Sequence, residues 1–257
     1  MKRTSKRRSA ISGLLLAPIF LLTVGTAFAE DPDSPFIYPT KSDYPTVQSS
    51  GKQVKDFIPK HWQVMAKAEG DLNDDKQSDV ALVVRGTSSK FKQKNENLGD
   101  PNFDTNPRIL IVLFKDAASG GYKLAEKSSS IIPIADSPTA QEPFDGISIK
   151  DGILQLKFVV WYSAGTWYTS NSAYKFRYQN NKFVLIGADT TELQRNTGAQ
   201  TKSSYNFLTG KLKTEIGSLA DDKTKFSVKW LTIPKTLRPM SAFQKLYDWN
   251  VIEGCNL

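Results

Sequence analysis

The sequence predicts an all-β fold: an antiparallel, hairpin-rich sheet domain with short helices only at its edges. Apolar or alternating segments of strand length recur at short intervals along the 257-residue chain, and Gly or Asn turn residues separate many of them. No strand–helix–strand alternation appears, which argues against a parallel sheet. No internal repeat is evident, so we expect a sandwich or a propeller-like fragment rather than a whole propeller.

The first 29 residues have the composition of a cleavable export signal. A basic segment, MKRTSKRRS, precedes the apolar run AISGLLLAPIFLLTVG, and Ala27 and Ala29 supply the small residues of a cleavage site. No later apolar stretch is long enough to span a bilayer. We therefore expect a periplasmic or secreted protein with no integral membrane segment after cleavage.

The charge balance of the remaining chain gives no sign of a nucleic-acid partner. Residues 1–29 hold five lysines and arginines and no acidic residue, so the rest has 29 basic and 26 acidic side chains and a net charge of +3. The strongest basic cluster is KFKQK at 90–94, a short solvated stretch rather than a concentrated basic surface. Cys255 is the single cysteine, which excludes an internal disulfide.

The expected organisation after the signal is an extended leader at 30–57 followed by one antiparallel β domain at 58–257. The leader is rich in Pro, Ser, Asp and Tyr, and a short helix is predicted just before Pro59. Trp62–Ala68 and Asp79–Arg85 then form a hairpin around an acidic loop. A long polar loop is predicted at 87–107, and the apolar run RILIVLF (108–114) is expected to be a core strand.

The second half of the chain predicts three hairpins. Asp151-Gly152 joins ISIK to ILQLKF, and this residue pair suits a type I′ turn, in which both positions take positive φ. Asn180-Asn181 joins AYKFRY to KFVLIGAD, and a turn at Gly210 joins SSYNF to KLKTEI. FSVKWLTI adds one more strand, and the tail SAFQKLYDWNVI is predicted to be a short helix.

The acidic stretch GDLNDDKQSD, at 70–79, has the spacing of a cation loop. Asp71, Asn73, Asp75 and Asp79 stand at relative positions 1, 3, 5 and 9. Alternate residues that point inward from a tight loop supply the oxygen ligands that Ca²⁺ prefers. The alternative is an acidic hairpin loop that binds no ion, and Mg²⁺ fits less well because it retains most of its waters.

This stretch resembles the calcium loop of FG-GAP/VCBS-type repeats, known from integrin α-subunit propellers. The resemblance covers about a dozen residues, and more loosely the chain resembles secreted bacterial proteins that carry one such loop. It implies Asp71, Asn73, Asp75 and Asp79 as side-chain ligands and the Gln77 carbonyl as a backbone ligand of a structural calcium ion. The sequence departs from the pattern at position 76, where a lysine replaces the usual glycine and adds a positive charge.

The stretch VVWYSAGTWYTSNSAY concentrates aromatic residues around a Gly-containing turn. Trp161, Trp167 and Tyr168 are candidate ligand-binding residues, since aromatic faces on a β scaffold stack on sugar rings or form a protein-binding patch. The alternative is a pair of core strands whose aromatic side chains face inward. An envelope glycan or an envelope protein is the partner that this cluster suggests.

No catalytic set stands out in the sequence. His61 is the single histidine and is not near a G-x-S-x-G segment, and the chain has too few His and Cys residues for a zinc site. A carbohydrate hydrolase needs only two carboxylates, for which Glu69, Asp145 and Glu192 are conceivable. The favoured function is a non-enzymatic binding or structural protein, and the alternative is a carboxylate-dependent carbohydrate hydrolase.

Overall fold

The computed structural model describes residues 34–220, 225–245, 247–253 and 255–257 of the chain. The predicted export signal lies outside these residues. The described residues form an all-β protein built from antiparallel sheets of five, seven and two strands, as the sequence predicts. No helix within the described ranges has the length and apolarity needed to cross a bilayer.

Sixteen strands, numbered here in chain order, are found among the described residues. They are β1 (Ser50–Gly51), β2 (Trp62–Gly70), β3 (Asp79–Gly86), β4 (Lys92–Lys94), β5 (Asn102–Asp104), β6 (Arg108–Lys115), β7 (Tyr122–Ser128), β8 (Phe144–Lys150), β9 (Ile153–Val160), β10 (Tyr168–Gln179), β11 (Lys182–Gln194), β12 (Ala199–Asn206), β13 (Lys211–Ser218), β14 (Ser227–Thr232), β15 (Asn250–Ile252) and β16 (Cys255–Asn256).

The seven-stranded sheet is a meander in which every strand pairs with its neighbour in the chain, from β8 to β14. The predicted turns form as expected: Asp151 and Gly152 have φ of 51° and 71°, and Asn180 and Asn181 have φ of 52° and 59°. Positive φ at both central positions is the type I′ geometry, whose twist matches that of the flanking strands. These two hairpins are thus fixed by local turn chemistry.

The five-stranded sheet has the order β1–β7–β6–β3–β2, and two of its inner strands, β6 and β3, are buried on both faces. On one face, alternate residues such as Ala81, Val83 and Leu110 join the core that this sheet shares with the seven-stranded sheet. On the other face, residues such as Leu82 and Ile111 pack in a second cluster. This double burial explains why RILIVLF is a continuous apolar run rather than an alternating one.

The second cluster is covered by the N-terminal segment 34–58. Val47 and Phe57 are buried in it, and Tyr44, Val54 and Ile58 pack at its edge. The helix predicted before Pro59 is present as a single 3₁₀ turn, Val54–Phe57. β1 of this segment pairs with β7, so the described part of the predicted leader contributes a strand and core side chains.

Two local predictions are wrong. The predicted polar loop at 87–107 contains a 3₁₀ turn that ends at the buried Phe91, followed by the β4–β5 hairpin. In this hairpin Phe103 is buried and the Asn95 side-chain amide donates to three backbone carbonyls. The tail was expected to be helical, but its described residues form only the 3₁₀ turn Met240–Ala242 and the small β15–β16 hairpin. In both segments contacts that are distant in sequence decide the conformation.

Phe57→Ala is expected to destabilise the protein by about 3–5 kcal/mol, because it removes the largest fully buried side chain of the N-terminal cover and leaves a cavity against the five-stranded sheet. Urea unfolding followed by circular dichroism measures this loss. Leu98→Ala is the matched control, since Leu98 is 68% exposed and its truncation should change stability by less than about 0.5 kcal/mol. A midpoint shift for Phe57→Ala as small as that expected for Leu98→Ala would show that packing of Phe57 contributes little stability.

Candidate cation loop and aromatic surface

The acidic loop connects β2 to β3 and has two residues in the left-handed region. Asp74 has φ of 63° and Lys76 has φ of 66°. A lysine thus occupies a left-handed position at residue 76, a conformation that glycine adopts most easily. A strain on the order of 1 kcal/mol at Lys76 follows.

Asp71 organises the loop by accepting backbone hydrogen bonds. Its Oδ1 accepts from the N–H of Asn73 at 3.2 Å and of Asp74 at 2.8 Å, and its Oδ2 accepts from the N–H of Lys76 at 2.8 Å. Desolvation acts in the opposite direction, but these donors hold the pKa of the Asp71 carboxyl below its ordinary value. The loop is therefore wrapped around an ionised carboxylate.

Asn73 and Asp75 continue the same pattern at the exposed side of the loop. Asn73 Oδ1 accepts from the N–H of Asp75 at 3.2 Å, and Asp75 Oδ1 accepts from the N–H of Gln77 at 2.8 Å. The Asn73 side-chain amide donates to Asp75 Oδ2 at 3.1 Å. Asp74 and Asp75 are both exposed.

Asp79 is fully buried and links the loop to the five-stranded sheet. Its Oδ2 accepts from the Leu72 N–H and its Oδ1 from the Lys115 N–H, both at 2.9 Å. Burial raises the pKa of Asp79, these two donors oppose the rise, and the negative charges of Asp75 and Asp71 add to it. A cation placed among the three carboxylates would remove the part of this pKa rise that comes from the two neighbouring negative charges.

The loop lies at the junction of the two large sheets. Strand β2 runs beside β8, and Gly70 approaches Ile149 so closely that a Cβ on Gly70 would lie 2.6 Å from the Ile149 methyl group. An open cleft of about 480 Å³ separates the loop from the β8–β9 turn, and Arg177 and Tyr178 also line it. The first residues of the loop are thus held against the seven-stranded sheet.

The donor types of the loop suit calcium, although its carboxylates do not converge. Three carboxylates, one amide oxygen and a backbone carbonyl are hard oxygen donors, and every carboxylate oxygen can accept more than one contact. Among the residues that the structure describes, no group of three or more His, Cys, Asp or Glu side chains is arranged to hold a metal ion. In this conformation the loop's carboxylate and amide oxygens accept hydrogen bonds from backbone and amide N–H groups.

The aromatic candidates lie at one end of the seven-stranded sheet and divide between its two faces. Trp161 and Trp167 are exposed and flank the Arg195 guanidinium, whose central carbon lies 5.3 Å and 5.8 Å from their ring centroids. Tyr168 turns to the other face, since adjacent strand residues alternate, and it is partly buried. Burial and the Glu192 charge raise the pKa of Tyr168.

Arg195 is the residue of this surface that the sequence alone did not single out. Its backbone N–H donates to the Trp167 carbonyl at 2.9 Å, which extends the β10–β11 ladder and places its side chain on the face of the two tryptophans. In the sequence, Arg195 is recognisable only as a residue shortly after the predicted strand that follows Asn180-Asn181. Its contact with Trp167 could be predicted only from the register in which β10 pairs with β11.

The three carboxylates considered for hydrolysis lie on three different strands, β2, β8 and β11. Glu69 is exposed and bonded to Lys67, and Asp145 is exposed at the β8 bulge. Glu192 lies on β11, three strand spacings or about 14 Å from β8, which exceeds the separations used by glycosidases. His61 is exposed in the turn before β2.

Comparisons with known proteins leave the family open. No protein-family model matches the chain, and no curated protein matches its sequence. Among solved structures, a Type IV secretion system related protein of Xanthomonas is similar, with 17% identity, 63% of this chain and 57% of that chain covered, and a TM-score of 0.27. The chain therefore spans just over half the length of that structure, and a similarity at this level supports no conclusion about function.

Replacing Lys76 with glycine is expected to stabilise the metal-free protein, because glycine adopts φ of 66° without a Cβ clash. Lys76→Gly should be more stable than Lys76→Ala by about 0.5–1 kcal/mol in the presence of chelator. Both variants lose the lysine charge, so the difference between their urea midpoints isolates the backbone effect. A Lys76→Ala variant as stable as the glycine variant would contradict strain at this position.

Proposed function

We propose that this is an exported, non-enzymatic binding or structural protein of the cell envelope, and that its loop at 71–79 holds a structural calcium ion in the manner of FG-GAP-type loops. The observation that carries the proposal is the loop backbone, which adopts positive φ at Lys76 and folds around the Asp71 carboxylate. The basic and apolar N-terminal segment supports export.

The calcium ligands would be the side chains of Asp71, Asn73, Asp75 and Asp79 and the carbonyl of Gln77. Calcium supplies positive charge to a loop that concentrates three carboxylates and accepts mixed oxygen donors. The two Asp79 oxygens each accept one N–H, so each keeps a lone pair for a further contact. Binding requires the loop side chains to turn inward from their present hydrogen bonds.

A structural role for the ion follows from where the loop lies. Asp79 bonds to the last residue of β6, and Gly70 packs on β8, so the loop contacts both sheets. An ion that fixes this loop would stiffen the junction between them. The distance of Glu192 from β8 and the exposure of Glu69 and Asp145 give no support to carboxylate-dependent hydrolysis, so binding or structure is the better-supported function.

Millimolar calcium is expected to stabilise the protein by about 1–2 kcal/mol relative to chelator, if the dissociation constant is of the order found in extracellular modules. For a domain of this size the unfolding midpoint should rise by roughly 2–8 °C. Thermal unfolding monitored by circular dichroism measures the shift. No shift at millimolar calcium would overturn the calcium part of the proposal.

Asp75→Asn should remove most of this shift, and Asp74→Asn, the same charge change on the exposed neighbour, should leave it intact. In chelator Asp75→Asn should cost little, because it also removes repulsion toward the buried Asp79 carboxylate. Equal effects of the two variants would show that calcium responds to loop charge in general and not to the proposed ligand set.

A further inference from the structure

The surface around Arg195 combines two exposed indoles with a cation that has no carboxylate partner among the described residues. Trp161 is 37% exposed and Trp167 is 61% exposed. Arg195 lies within cation–π distance of both rings and forms none of the ion pairs found in the described part of the chain. The positive charge is therefore available to a ligand.

Within the part of the chain that the structure describes, the hydrogen bonds of Arg195 leave one nitrogen of its guanidinium unused. Nη2 donates to the carbonyls of Tyr162 at 2.9 Å and Thr166 at 2.8 Å, and Nε donates to the Trp167 carbonyl at 3.4 Å. A guanidinium has five N–H groups, so the two on Nη1 remain. Nη1 is not buried, so its two N–H groups reach solvent.

These bonds hold the loop between β9 and β10 in a fixed shape. The guanidinium joins the two ends of the loop. One of its carbonyl partners belongs to Tyr162, directly after Trp161, and the other to Thr166, directly before Trp167. A site whose aromatic faces are fixed before binding loses less conformational entropy when a ligand arrives. The loop is thus preorganised, with its free donors at the centre.

The exposed indole area suits a small ligand. Taken together, the two exposed fractions equal about one whole tryptophan side chain, or roughly 250 Å². A sugar ring is covered by one or two indole faces.

We propose that Trp161, Arg195 and Trp167 bind a carboxylate-bearing sugar residue of a glycan. The indoles stack on the apolar face of the sugar ring, and the two free N–H groups of Arg195 Nη1 bond to its carboxylate. This inference rests on the proposed binding function and names its ligand class. It does not depend on calcium at the acidic loop.

Affinity gel electrophoresis with polygalacturonate tests the proposal. Migration of the wild-type protein should be retarded by polygalacturonate and much less by its fully methyl-esterified form, which has the same backbone without the charge. Trp167→Ala and Trp161→Ala should each weaken the apparent affinity roughly tenfold. Trp230→Ala is the matched control, because Trp230 is 62% exposed on the edge strand β14 and should leave the affinity unchanged.

Each other outcome overturns part or all of the proposal. Equal retardation by the charged and esterified polymers would remove the role of the carboxylate. No retardation, or retardation that Trp167→Ala and Trp161→Ala leave unchanged, would overturn the glycan site. Retardation by polyglutamate alone that is lost in Trp167→Ala would assign the surface to an acidic peptide. Because the calcium shift is measured without any polymer, its failure and the failure of this site are distinguishable.

Discussion

The burial of β3 and β6 on both faces is the constraint on which the rest of the structure depends. A strand that exposes apolar side chains on both sides needs a cover on each side, and each buried Val, Leu or Ile contributes about 1.5–3 kcal/mol. The seven-stranded sheet supplies one cover, and residues 34–58 supply the other. The acidic loop is placed by the same arrangement, since it connects β2 to β3 beside the contact with β8.

Local chemistry made much of the fold predictable. The type I′ turns at Asp151-Gly152 and Asn180-Asn181 depend on residues that tolerate positive φ, and the alternation of the strands that they join follows directly. The β4–β5 hairpin was not predictable in the same way. Its polar sequence resembles a loop, and the side chains that order it, such as Asn95, find their partners among backbone carbonyls rather than in an apolar pattern.

In the candidate sites, too, the sequence predicts local features but not contacts between residues that are distant in the chain. The spacing of Asp71, Asn73 and Asp75 is local and anticipates a loop in which position 76 takes positive φ. The bond from Lys115 to Asp79 spans 36 residues and requires the tertiary structure. The division of Trp167 and Tyr168 between two faces, in contrast, follows from strand alternation and was available in the sequence.

The strand order of the two large sheets has a consequence for how the chain folds. The meander from β8 to β14 is made of neighbouring strands, so its pairings close short loops and can form early. The five-stranded sheet is complete only when β1 pairs with β7, about seventy residues away, and that closure carries the larger entropic cost. The N-terminal cover, although it precedes these strands in the chain, is therefore expected to dock late, onto a sheet whose outer apolar face stays open to chaperones until then.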